Sequence, residues 1–238
     1  MNTMLGRLED AAIRKRRFVA DASHELRSPL AGMRSQLEVD LAHPDRADWQ
    51  ATERDLLEET LHMQRLVEDL LDLADLDENP TPGRHDLLDV DEVVLAEVRR
   101  ISTRGKVVVD ARHVTAAQVT GDASALGRAV RNLLDNAERH AIRTVTVDVV
   151  DEGTNVRIAV SDDGAGVAEE DRERIFERFA RADQSRAREQ GGRGLGLAIA
   201  SDIVTAHGGT LELVDSERGA TFVISLPAGL APSSGGTP

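Results

Sequence analysis

The chain contains no cysteine, which removes disulfides, thiol catalysis and cysteine-based zinc sites from consideration and suits a reducing cytosol. Tyrosine is also missing and aromatic residues make up only 2% of the sequence, so stacking platforms for single-stranded nucleic acid are nearly ruled out. Lysine is confined to Lys15 and Lys106; arginine carries the remaining positive charge, a bias that reads as genomic rather than functional. No run of about 18 apolar residues occurs, and Met1 is not followed by a signal-peptide pattern. The formal net charge of -14 argues against wholesale binding to nucleic acid or an anionic membrane. What remains is 238 residues, enough for one large domain or two small ones with real cores.

Two long helices are predicted first. Val19, Ala22, Leu26, Leu30, Met33, Leu37 and Leu41 recur at steps of three and four and make one apolar stripe. "AHPDRAD", 42–48, reads as a turn, and a second stripe follows through Leu56, Met63, Leu66, Leu70, Leu73 and Leu76. A lone hairpin cannot cover both stripes, so its natural completion is a four-helix bundle made by two chains. A homodimer is therefore expected.

The Pro/Gly segment "DENPTPGRHD", 77–86, is the best domain boundary. Beyond it the pattern becomes mixed. Helices are predicted near 90–101, 122–140 and 194–206, with another over "EEDRERIFERF". Strands are predicted near 106–110, 117–120, 144–150, 156–161, 210–214 and 221–226. Antiparallel strands with helices on one face give an α/β two-layer sandwich. The tail "PAGLAPSSGGTP" has the composition of a disordered segment.

Four motifs carry chemistry. In "FVADASHELRSPLAGM", 18–33, His24 points away from the buried stripe, with Ser28 one turn further on its face and Glu25 beside it. A solvent-facing imidazole with a neighbouring carboxylate can act as a nucleophile, the carboxylate taking a proton from one nitrogen while the other attacks. Pro29 removes one backbone N–H and should kink the helix just past His24. In "RNLLDNAERHA", 131–141, Asn132 and Asn136 share a helix face, with Arg139 nearby; amide oxygens suit a hard divalent cation. In "VSDDGAGV", 160–167, Asp162 follows a strand and precedes Gly164 and Gly166, which allow a ligand close to the backbone. In "GGRGLGLAIA", 191–200, Gly192, Gly194 and Gly196 open a helix whose free N–H groups can meet phosphates. The polar segment before it fits a lid over polyphosphate. Taken singly, each motif also has a plain reading: an exposed histidine, surface asparagines, an Asp-Gly turn, a solvated loop.

Their order is what discriminates. "SHELRSPL", "NLLDNA", "DDGAGV", "IFERF" and "GGRGLGLAI" resemble, in register, the H, N, first glycine, F and second glycine boxes of two-component sensor histidine kinases, and "ERGATFVISLP" resembles the third glycine box. The resemblance runs from about Phe18 to Pro227. It implies a dimerisation and histidine-phosphotransfer hairpin over 18–79 and an ATP-binding domain of the gyrase–Hsp90–histidine kinase–MutL (Bergerat) fold over 80–227. Residues 1–17 would form the end of a HAMP-like signalling helix and 228–238 a disordered tail. The parent is then expected to be a membrane receptor, with this region facing the cytosol and transmembrane segments upstream.

The resemblance implies a role for each site residue. His24 would be the phospho-acceptor, Glu25 its general base, and Ser28 the hydroxyl that positions water for phosphatase action. Asn136 would coordinate Mg2+ bound to ATP, with Asn132 close to the phosphates and Arg139 at the basic phosphate-contact position. Asp162 would hydrogen-bond the adenine amine, with Gly164 and Gly166 letting the nucleotide close. His140 stands where an aromatic residue is frequent on the adenine side. Phe176 and Phe179 would anchor the lid, Arg181 and Arg186 would reach the γ-phosphate, and Gly192, Gly194, Leu195 and Gly196 would line the phosphates. The phosphoryl group would then pass to an aspartate in the receiver domain of a response regulator. The ATPase branches of the superfamily carry a water-activating Glu where this chain has Asn132, which argues against hydrolysis as the main activity. All expected catalytic residues are present, which argues against a pseudokinase scaffold.

Overall fold

The computed structural model describes residues 20, 22, 23, 26–45, 48–78, 86–178, 194–216 and 218–229. The chain divides into two compact units between Leu71 and Asp72. The predicted signalling helix over 1–17 and the tail beyond 229 lie outside the described residues.

In the first unit, helix α1 covers 26–42 and continues through Pro29; α2 begins there at Trp49 and runs to Glu78, its residues 72–78 counting with the second unit. The start of α2 is set by Asp48: its side chain accepts from Ala51 N at 3.1 Å and its carbonyl from Thr52 N at 2.9 Å. Among the described residues, one buried polar contact ties the two helices. Thr52 Oγ1 donates to Asp40 Oδ2 at 2.6 Å, and Gln36 Nε2 reaches the same carboxylate at 3.2 Å. Pairing makes the burial of Asp40 tolerable. Much of the predicted stripe on α1 stays uncovered in a single copy, with Leu30 at 50% and Leu41 at 70% exposure, whereas Leu66 of α2 is buried. α2 extends two residues into the predicted linker, of which 79–85 lie outside the described residues.

The second unit is a mixed α/β sandwich. Its main sheet has five strands in the order β2 (Val108–Val114), β4 (Thr144–Asp151), β5 (Asn155–Asp162), β7 (Thr221–Pro227) and β6 (Thr210–Val214). A two-stranded sheet pairs β1 (Asp86–Asp89) with β3 (Gln118–Gly121). The helices are α3 (Val90–Ser102), α4 (Ala123–His140) and α5 (Gly196–Ala206). Strand β4 alternates buried Val145, Val147 and Val149 with Thr144, Thr146 and Asp148, the period-2 signature of a sheet with one core face. Against that core α4 turns Leu126, Val130, Leu133, Leu134 and Ala137, and it packs on α3, α5 and β5. Asp122 caps α4, its side chain accepting from Ser124 N at 2.8 Å and Ala125 N at 2.9 Å.

Three local expectations change. The sheet is not purely antiparallel: β2 pairs with β4 in parallel, with a register shift between Asp110 and His113. Strand β1, too short to show alternation, is additional to the predicted strands. The predicted helix over "EEDRERIFERF" is instead two short 3-10 turns, Glu169–Asp171 and Arg174–Phe176. Asp171 is buried and Phe176 lies edge-on to Phe222, with ring centroids 6.2 Å apart. On one α-helix those two side chains would diverge by about 140°; two separate turns let both face inward.

Candidate functional site

Strand β5 ends at Asp162, whose position is fixed from both sides. Its N–H donates to Ala220 O at 2.9 Å, and its Oδ1 accepts from Gly164 N at 2.9 Å and Ala220 N at 3.4 Å. The other oxygen, Oδ2, is buried with no hydrogen-bond partner among the described residues. Burial pushes the Asp162 carboxyl above the usual carboxylate range, against the opposing pull of the N–H groups of Gly164 and Ala220. A buried acceptor without a donor costs free energy unless a ligand supplies one. An exocyclic amine is a fitting donor for it.

Glycines crowd this carboxylate by necessity. A Cβ on Gly164 would stand 2.2 Å from His140 O, which brings the Asp162 loop directly against the C-terminal end of α4. Gly166 has φ +76°, and a Cβ there would meet Gly219 O at 2.9 Å. His140 is exposed, yet crowding by protein atoms, helped by Arg139, pushes its pKa down and favours the uncharged ring.

On α4, Asn132 and Asn136 are half-buried while Leu133, Leu134 and Ala137 face the core, as the spacing predicts. Asn132 Nδ2 is another buried polar atom with no hydrogen-bond partner among the described residues. It lies beside the start of α5, where a Cβ on Gly196 would meet the Asn132 side chain at 3.6 Å. Gly194 takes φ +67°, a conformation that favours glycine, and leads through Leu195 into α5. The Leu195 side chain is fully buried, so what it offers a ligand is backbone. The first N–H groups of α5 have no partner within the helix, as at any helix start, and Ile199 N closes the first turn on Leu195 O at 2.9 Å. An unpaired donor beside an open helix start suits anionic oxygen. The orphaned acceptor of Asp162 and the orphaned donor of Asn132 thus fit the base and the phosphates of a nucleotide, respectively.

The helix that carries the asparagines is held by an ionic network invisible in the motifs. Glu97 of α3, buried, takes Arg131 at 2.7 Å and Arg100 at 2.6 Å; Arg100 also reaches Asp135 at 2.9 Å. Arg104 bridges Asp135 at 3.0 Å and Glu138 at 2.9 Å. Burial works to raise the Glu97 carboxyl, but the hydrogen bonds from Arg131 and Arg100 outweigh it and hold it below the ordinary range. Charged residues at steps of three and four along both helices are the signal that points to such a network.

Phe176, placed by its contact with Phe222, is half-buried, and Arg178 pairs with Asp202 of α5 at 2.9 Å. Ser28 lies exposed on α1. His24, Glu25, Phe179, Arg181, Arg186 and Gly192 lie outside the described residues. The structure therefore sets Asp162 and Gly164 against His140, and Asn132 against Gly196; Asn136, Arg139, Gly166, Phe176, Gly194 and Leu195 lie in the same second unit, and Ser28 lies in the first.

Comparison with known proteins agrees with this geometry. Residues 14–79 match the family described as "His Kinase A (phospho-acceptor) domain", and residues 121–230 match "Histidine kinase-, DNA gyrase B-, and HSP90-like ATPase". Sensor histidine kinase CusS of Escherichia coli strain K12 is 36% identical over 95% of this chain and 48% of its own length. Signal transduction histidine-protein kinase/phosphatase MprB of Mycolicibacterium smegmatis is 36% identical over 99% of this chain and 50% of its own length. The chain thus spans about half the length of these curated relatives. A solved structure, the mycobacterial sensor histidine kinase MprB, is 33% identical with a TM-score of 0.54, covering 60% of this chain and 97% of that one. Two family matches in the order of the two units, and relatives aligned across nearly the whole sequence, establish that the chain belongs to the sensor histidine kinases.

Proposed function

We propose that the chain uses ATP to phosphorylate its own His24 and then passes the phosphoryl group to an aspartate of a response-regulator receiver domain. The observation that carries this reading is the unpaired, buried Oδ2 of Asp162, an acceptor waiting for an amine in the same domain as the unpaired Nδ2 of Asn132. Asp162 reads the adenine amine, Gly164 and Gly166 admit the base, and Asn132, Arg139, Gly192, Gly194 and Gly196 receive the phosphates. Arg181 and Arg186 complete the basic surround of the γ-phosphate, on a segment anchored by Phe176 and Phe179.

In the transfer step an imidazole nitrogen of His24 attacks the γ-phosphorus in line. The N–P bond forms as the bond to the β–γ bridging oxygen breaks, ADP leaves, and Glu25 takes the proton from the other ring nitrogen. Asn136 is the residue to hold Mg2+, which, when bound with the nucleotide, offsets charge on the phosphate oxygens. Because Ser28 is exposed and shares the predicted face of His24, we assign it the positioning of a water for dephosphorylation of the regulator. The pairing of kinase with phosphatase in the name of the MprB relative supports that second activity. A second copy of the chain covers the exposed leucines of α1 as a four-helix bundle, which makes the homodimer the working unit.

The test is incorporation of acid-labile label from γ-labelled ATP. Wild type is expected to label and H24Q to lose the label entirely, with ATP affinity retained. Labelling of H24Q would sink the assignment.

A further inference from the structure

The second carboxylate of "DDGAG" belongs to no assigned role, yet it is the more heavily bonded of the two. Asp163 Oδ1 accepts three backbone N–H groups: Ile142 at 2.8 Å, Arg143 at 2.9 Å and Thr144 at 3.1 Å. Its own N–H donates to Thr144 O at 3.3 Å. These donors are the last two residues of the connection from α4 and the first residue of β4, so one oxygen gathers the backbone where the turn enters the strand. A concave set of N–H groups around an anion is a strong, directional clamp. The clamp is reinforced one residue later, where Gly164 abuts His140 O with no room for a Cβ. Adjacent carboxylates have therefore divided their work. Asp163 is spent on the protein, while Asp162 keeps Oδ2 open.

We propose that Asp163 is a positioning residue for nucleotide binding: it fixes the Asp162 loop against the C-terminal end of α4. The amine-reading oxygen and the phosphate-facing asparagines then keep one spacing. The inference rests on the nucleotide reading above. Backbone hydrogen bonds from Arg143, Thr144 and Ile142 hold the Asp163 carboxyl below the usual carboxylate range, in keeping with an anchor rather than a switch. Loss of the carboxylate frees the turn, lets the Asp162 loop shift, and misaims Oδ2 while the Asn132 face of α4 remains.

The test uses the full chain, with nucleotide affinity measured by calorimetry at a temperature where circular dichroism shows each variant folded. ATP is compared with ITP, which lacks the exocyclic amine. Wild type is expected to prefer ATP. D163A is expected to bind ATP about tenfold more weakly and ITP nearly as well as wild type does, so that the preference collapses. D163N, which keeps an acceptor oxygen without the charge, is expected to fall between, about threefold weaker for ATP. A merely structural role would lower the melting temperature and leave the ATP-to-ITP ratio intact. Unchanged ATP affinity, or equal losses for both nucleotides, overturns the proposal. If D163A does not fold, the same comparison on D163N decides it. A wild type that binds no ATP, or shows no preference over ITP, overturns the nucleotide reading instead.

Discussion

Gly219 crosses Asp162 without space for another atom: a Cβ there would stand 1.8 Å from the backbone oxygen of Asp162, at a φ of +71°. The connection between β6 and β7 thus braces the strand end that presents the Asp162 carboxylate. G219A meets both the clash and the left-handed backbone, and neither the neighbouring backbone nor the turn can yield cheaply. A loss of about 2–3 kcal/mol is expected, read as a lower midpoint in thermal melting. ATP affinity should fall in the folded fraction, because the brace moves with Asp162. An unchanged midpoint would show that the turn relaxes freely.

Asp162 itself should show stability and function moving in opposite directions. Its folded carboxyl titrates above the ordinary value because of burial, so the folded state holds the proton to higher pH than the unfolded chain. The stability contributed by the protonated form is complete below the unfolded pKa and is lost as pH rises through the folded one. D162N removes that loss. It is expected to melt about 2–4 °C higher than wild type at pH 7, with no gain below about pH 4. ATP affinity should nevertheless fall at least tenfold.

Glu97 behaves with the other sign. Arginine contacts hold its carboxyl low against burial, so its contribution is present above the unfolded value and disappears as pH falls through the folded one. E97Q weakens the grip of α3 on α4 and leaves Arg131 and Arg100 with fewer charged partners. A cost of about 2 kcal/mol at pH 7 is expected, shrinking towards zero in acid. A pH-independent difference would contradict the ionic account.

How much was legible depended on whether the signal was local. Helix α4 was read to within one residue, because a capping Asp122 precedes a clean apolar period that ends at His140. Strands β4 and β5 were equally plain, two alternating segments with a Gly-containing turn between them. The parallel pairing of β2 with β4 was not, since nothing in either strand records the direction of its neighbour. The stretch 169–179 carries strong helix formers, but burial of Asp171 and the Phe176–Phe222 contact override that preference. In the site, Asp162 and the asparagines stood out through their motifs. Asp163 and Glu97 stood out less: the backbone amides that bind Asp163 lie about twenty residues earlier, and the Glu97–Arg100 step of three gives no hint of Arg131, 34 residues on.

Strands β2 and β4 run side by side in the same direction, so the chain must double back over the sheet between them, and α4 is the return leg. The helix bearing Asn132 and Asn136 cannot drift away from the sheet without unzipping that pair. Its placement is a matter of connectivity as much as of packing. Any displacement of α4 is limited by the short 141–143 connection into β4 and by the segment that leads to it from β2.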